Sequence, residues 1–327
     1  MKKTDWAIRD QKLQMLDAVK RAQDKYAFLD DYRYALEKDL PTVEAAIRKY
    51  GDELRRPLYR FFAGDILEDV AQTAHDDFLR SLRQYIAEGR LTANAGVSDR
   101  LLDSLRQAIG RNIETLVSGS DADMIQRARE FKAIAAESAN AAVVAQTQMT
   151  QLKIESITRR TTGAEDLKKA WSDLQARYGS RDTVRYRNGA HYPLNTYLDQ
   201  RANTSATDLH VLTTQYDASA AGVYTGKITV HGATDSCRPW EGKVVFFTAA
   251  GRDILSQKFP KAAEMKTVDE LRADRSTHLW KFNCRHGITP YPIQFFDDGD
   301  AEGEINSSLP PSEKALERAD EAYRRAS

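Results

Sequence analysis

Apolar residues recur at three- and four-residue spacing along the first part of the chain. Ile8, Met15, Val19, Ala22, Tyr26 and Leu29 mark one face of a helix over 5–40. Pro41 suits the first turn of a second helix over 41–50, and Gly51 behind it reads as a stop signal. The pattern predicts further helices over 52–62 and 65–88, the latter closed by Gly89, with a loop at Asn94-Ala95-Gly96. Ser98 caps a helix over 99–117, and Ser118-Gly119-Ser120 ends it. The longest run follows. Residues 121–160 hold neither Gly nor Pro, and the middle is Ala-rich. A helix of that length extends ~60 Å at about 1.5 Å per residue. It needs neighbours, from the N-terminal helices or from other copies.

Thr162-Gly163 interrupts the helical pattern, and 164–178 is a shorter helix. From Gly179 onward Gly, Thr, Tyr and β-branched residues rise. Strands are predicted over 183–187, 227–231, 243–248 and near 278–282, with helices over 194–221 and 267–275. The fold class expected is therefore α+β. An elongated, mainly helical assembly domain over 1–162 precedes a small α+β domain with a short β-sheet over 163–296. Residues 297–327 read as an acidic linker and a charged helix over 312–325.

Composition narrows the function classes. Hydrophobic residues make up 41% and charged residues 29%, which suits helices with one buried stripe and a wide solvated face. Lys+Arg and Asp+Glu are both 48, so there is no net charge. That excludes a protein whose main task is to coat a polyanion. A local basic face stays open, with Lys153, Arg159, Arg160, Arg181, Arg185 and Arg187 as its candidates for contact with packaged DNA. No stretch approaches the ~20 apolar residues that span a bilayer. The charged start lacks an apolar signal core, so assembly in the cytoplasm is expected, with no membrane partner. Cys237 and Cys284 are then expected to be reduced unless a metal holds them.

Two segments concentrate the candidate chemistry. Five residues separate His231 from Cys237, five separate His278 from Cys284, and His286 lies two beyond Cys284. Two thiols and two or three imidazoles in paired short segments can supply a tetrahedral zinc site. The plainer reading packs the cysteines as small apolar residues and hydrogen-bonds the histidines. A third reading makes Cys284 a nucleophile beside Arg285 and His286, or uses Asp235 and Glu241 in a metal-dependent hydrolase. Tyr197 and Arg201 lie one helical turn apart, where Arg201 is either a surface residue or a tie to the His/Cys centre. Trp240 and Trp280 are expected core anchors, and Gly242 a turn before a strand. No phosphate-binding glycine loop, H-E-x-x-H or G-x-S-x-G occurs.

The same residues carry a resemblance. His231-Gly232-Ala233, then Cys237 with Pro239, Trp240, Gly242 and Lys243, then His278, then Asn283-Cys284-Arg285-His286 with Ile288 and Pro290, resemble the phage minor capsid protein 2 family. That family is similar to the Mu-type head morphogenesis proteins. Arg201 with Thr204 resembles the family's Arg-containing helix, and Tyr197 its preceding aromatic. The resemblance spans about 183–296. Where the family often has a second His before the Trp, this chain has Arg238-Pro239. The resemblance implies a structural, non-enzymatic head protein of a tailed bacteriophage, packaged in the virion. Its expected partners are the portal or the major capsid protein, in several copies of a symmetric assembly. The alternatives are a DNA-associated or ejected virion protein, or a Cys/His- or metal-dependent enzyme.

Overall fold

In a computed structural model, residues 3–92, 96–148, 156–186, 188–281 and 284–326 are described. The chain is α+β, with a long helical N-terminal region and a small C-terminal domain of short antiparallel sheets. Its helices are α1 Lys3–Lys25, α2 Tyr32–Glu37, α3 Leu40–Tyr59, α4 Ile66–Ser81, α5 Arg83–Ala87 and α6 Asp99–Gln148. They continue as α7 Ser156–Tyr178, α8 Leu194–Ala221, α9 Ala249–Ser256, α10 Val268–Ala273, α11 Asp298–Ser307 and α12 Glu313–Ala326. The strands are β1 Thr183–Arg185, β2 His191–Pro193, β3 Thr225–Ile228, β4 Val244–Phe246 and β5 Ile288–Pro290.

Two compact units interleave along the chain. One comprises Arg9–Ala63 and Gln107–Asp199, the other Met1–Ile8, Gly64–Arg106 and Gln200–Ser327. They are not the consecutive blocks expected from the composition change.

The first unit is helical, with a β1–β2 hairpin in which Val184 faces Tyr192. Met15, Val19, Ala22, Tyr26 and Leu29 are buried, as the spacing predicts. The single helix expected over 5–40 is broken after Lys25, however. A 3-10 turn, Ala27–Asp30, intervenes, and Asp31 caps α2 by accepting the Arg33 amide at 2.8 Å. That turn is fixed by α6 and α7. The buried Arg127 donates to the Asp30 carboxylate at 3.1 Å and to the Leu29 and Gly179 carbonyls at 3.2 and 2.8 Å. The Trp171 indole donates to the Asp30 carbonyl at 3.0 Å.

Three expected stops are helix interiors instead. Gly51 lies inside α3, where a Cβ would sit 2.4 Å from the Asp121 carboxylate of α6. It permits close helix approach and ends nothing. Ser118-Gly119-Ser120 lies within α6, and Thr162-Gly163 within α7. A single exposed glycine costs a helix only about 1 kcal/mol, which long helices absorb. Of the predicted helix over 121–160, 121–148 belong to α6 and 156–160 to α7, and 149–155 lie outside the described residues. Pro57, in the interior of α3, is followed by a widened π-helical turn, Arg60–Asp65.

The second unit holds a three-stranded antiparallel sheet in the order β4-β3-β5. Gly226 of the central strand is opposite Val245 on one side and Pro290 on the other. A Cβ there would meet the Phe247 ring at 2.5 Å and Ile288 at 2.8 Å, so only glycine fits. One core joins Val211, Ile228, Trp240, Val245, Phe247, Leu279, Trp280 and Ile288. A second gathers Val244, Phe246, Phe259, Met265 and Ile305. Thr267 caps α10 in a reciprocal capping box with Glu270. The strand expected near 278–282 is absent among the described residues of that stretch, which form turns. The third strand is β5 instead. The acidic stretch read as a linker is largely α11, which buries Ala301 and Ile305. Leu316 of α12 packs against the Trp240 core, and α12 touches the 3-10 turn Arg238–Trp240. Among the described residues no helix is long and apolar enough to cross a membrane.

Candidate metal centre

The sheet brings two distant segments together. Strand β3 runs antiparallel to β5, with Ile228 opposite Ile288. The pairing continues one step further: the Thr229 amide donates to the Gly287 carbonyl at 3.1 Å, and the Gly287 amide to the Thr229 hydroxyl at 2.9 Å. Beyond that step stand His231 on one side and His286 on the other. On the opposite edge the Gly242 amide donates to the Ile228 carbonyl at 3.1 Å. The loop between β3 and β4 is thus closed, with Glu241 at its base. Gly242 has φ +74°, a left-handed conformation, which confirms it as the turn before β4.

Cys237, Cys284 and His286 each direct one ligand atom to a common place, all within 4.8 Å of one another, and all three are buried. The cysteines are not joined in a disulfide. The His286 Nδ1 lies 3.4 Å from the Cys284 sulfur, and the His286 amide also reaches that sulfur at 3.4 Å. On its other side, His286 Nε2 lies 3.2 Å from Glu241 Oε1. The same carboxylate oxygen accepts the His231 and Ala233 amides at 2.9 and 3.0 Å. His231 Nε2 lies 3.3 Å from His286 Nδ1. Ser236 holds the two segments together by accepting the His278 amide at 3.1 Å.

The charges follow from these contacts. The Cys237 thiol donates to Cys284, and that bond, with the donors of His286 and the Trp280 amide, outweighs burial and holds Cys284 well below the ordinary thiol range. Cys237, sharing its proton with that thiolate and buried, is pushed up. Burial opposes charge on Glu241, yet the two amides and His286 pull it down to about 2. Burial also opposes charge on His286, but the thiolate and the Glu241 carboxylate raise it. A thiolate and a carboxylate thus face one imidazole in a buried site. Such a cluster calls for a cation: a proton on His286, or a metal in its place.

Of the expected ligands, the structure gathers Cys237, Cys284 and His286, with His231 at the edge. His278 stays outside: its ring is 52% exposed, with Nδ1 4.0 Å from Asp235. Trp240 and Trp280 are buried in the core as expected. Trp280 has φ +55°, the one left-handed non-glycine among the described residues, close to the centre it supports. Lys243 anchors the tail, donating to the Ser307 and Leu309 carbonyls at 2.9 Å each. Pro239 is half-buried and Arg285 exposed, while Asn283 lies outside the described residues. Tyr197 sits 6.3 Å from Tyr186, ring to ring. No hydrogen bond or ion pair among the described residues ties Arg201 to the centre. In the expected basic stripe, Arg181 pairs with Asp30 and Asp182, and Arg185 with Asp123. Lys153 and Arg187, and the side chains of Arg159 and Arg160, lie outside what is described.

Spacing and residue type do not mark Ser236, which braces the two segments. Nor do they mark a buried pair in the same unit, His75 Nδ1 and Asp217 Oδ2 at 2.9 Å. These partners are far apart in sequence and no local pattern marks them.

No protein-family model, no curated protein and no solved structure matches the chain.

Proposed function

We propose that this chain is a structural head protein of a tailed bacteriophage, of the minor capsid type, whose sheet-bearing unit is stapled by zinc. The observation that supports it most is the convergence of Cys237, Cys284 and His286. Three of the residues on which the resemblance to minor capsid proteins rests meet there, close in sequence to three more, Trp240, Gly242 and Lys243. Two thiols and an imidazole are the donors zinc prefers, and a sheet of three short strands gains from such a staple.

Burial favours a structural role for the thiols. Cys237 is 1% and Cys284 7% exposed, whereas a reactive thiol sits where substrate can reach it. In this reading the long helices dock on symmetric partners, the portal or the major capsid protein, near the portal vertex or inside the capsid. Packaged DNA is a further neighbour.

The test is the composition of purified particles. Mass spectrometry of gradient-purified, salt-washed virions is expected to find this chain at low copy number. Disruption of its reading frame is expected to leave heads that fail to mature. Particles that lack the chain, with heads unaffected by its disruption, overturn the proposal.

A further inference from the structure

We infer that His231 is the fourth ligand of the metal held by Cys237, Cys284 and His286, and that Glu241 stays outside as the carboxylate that aims His286. This rests on the zinc reading above and specifies its coordination.

The edges of the cluster carry the inference. With zinc–nitrogen bonds of about 2.0–2.1 Å and zinc–sulfur bonds of about 2.3 Å, a tetrahedral site has nitrogen–nitrogen edges near 3.3 Å and sulfur–nitrogen edges near 3.6 Å, to about 0.2 Å. His231 Nε2 to His286 Nδ1 is 3.3 Å, and Cys284 Sγ to His286 Nδ1 is 3.4 Å. Each matches an edge length and both share His286 Nδ1, but the cysteines group with His286 and not with His231 within 4.8 Å, so the face closes only when the His231 ring swings inward toward the sulfurs. His286 therefore ligates through Nδ1, which leaves Nε2–H to donate to Glu241 at 3.2 Å. A ligating histidine fixed by a carboxylate on its other nitrogen is the usual outer-shell arrangement of zinc sites.

Glu241 itself is already committed. One of its oxygens takes the His231 amide, the Ala233 amide and His286 within 3.2 Å. Those bonds also fasten the loop that carries His231. His231 has the freedom that closure needs, since its side chain is 38% exposed. Gly232 beside it has φ +77° and open space around it. The two rings lean together, centroids 4.0 Å apart and inclined by 36°. Metal binding turns the His231 ring so that its in-plane lone pair meets the ion. His278, held off beside Asp235, is the rejected candidate. Four protein ligands leave no position for a water or substrate, which is the mark of a structural site and not a catalytic one.

X-ray absorption on the zinc-loaded chain reads the sulfur count from the first shell and the imidazole count from ring multiple scattering. The expected shell is two sulfurs and two nitrogens. In His231→Ala it becomes two sulfurs, one nitrogen and one oxygen, with zinc affinity lower by at least about 10-fold. A native shell with one nitrogen and one oxygen, unchanged in His231→Ala, overturns this inference and leaves the zinc reading standing, provided Cys284→Ser loses the metal. A native chain that takes up no zinc overturns both. The native measurement decides even if the variant misfolds.

Discussion

His286 Nε2 lies 3.2 Å from Glu241 Oε1, so the imidazole presents its other nitrogen to the Cys284 sulfur at 3.4 Å. Because the same oxygen holds the His231 and Ala233 amides, Glu241 organises the centre without belonging to it. Glu241→Gln keeps an acceptor but removes the charge. Zinc affinity, measured by competition with a chromophoric chelator, is expected to fall about 10–100-fold with the ligand count unchanged. Unaltered affinity contradicts this role.

Gly226 tests the sheet that positions the centre. A methyl there meets Phe247 and Ile288 at 2.5 and 2.8 Å. Gly226→Ala is expected to lose about 1–3 kcal/mol in denaturant unfolding, with an unchanged slope. The sign is diagnostic, since alanine in place of a strand glycine with room to spare stabilises by about 0.5–1 kcal/mol. A midpoint that stays or rises contradicts the packing.

Asp121 supplies a pH signature in the helical unit. Burial against Gly51 raises its carboxyl to about 6, and Arg55, 3.8 Å away, offsets only part of that. The native state therefore binds this proton more tightly than the unfolded chain. The stability so gained is complete below the ordinary value of 3.8 and is lost as pH rises through about 6. Asp121→Asn is expected to be more stable than the parent at neutral pH, by about 1 kcal/mol after solvent screening, and to lack this decline. Parallel stability–pH curves for the two proteins contradict it.

Lys243 links β4 to the tail. Its ammonium reaches the Ser307 and Leu309 carbonyls, each at 2.9 Å, between α11 and α12. Lys243→Met removes both bonds and is expected to speed proteolytic cleavage around 307–312 several-fold. Cleavage at the parent's rate shows that Leu316 and the core hold the tail unaided.

Local signals were legible in the sequence, and long-range ones less so. The limits of α8, the burial of Met15 to Leu29, the turn at Gly242 and the meeting of Cys237 with Cys284 and His286 followed from spacing and residue type. Gly51 misled because it marks a close neighbour, the Asp121 carboxylate across the helix pair, and Ser118-Gly119-Ser120 because a long helix absorbs an exposed glycine. The break at Asp30 arises from Arg127, Gly179 and Trp171, which no window around residue 30 contains. Strand β5 was missed because Ile288–Pro290 is too short for a period, and α11 because its acidic face hides the buried Ala301 and Ile305. The exclusion of His278 was illegible for a similar reason. Its spacing to Cys284 copies that of His231 to Cys237, but pairing of Thr229 with Gly287 sends only His231 toward His286.

Zinc on Cys237, Cys284 and His286 is open to direct assay by elemental analysis of the chain purified without denaturant or chelator. About one zinc per chain is expected, lost in Cys284→Ser. A native chain free of metal, or one whose zinc persists in Cys284→Ser, contradicts the zinc reading.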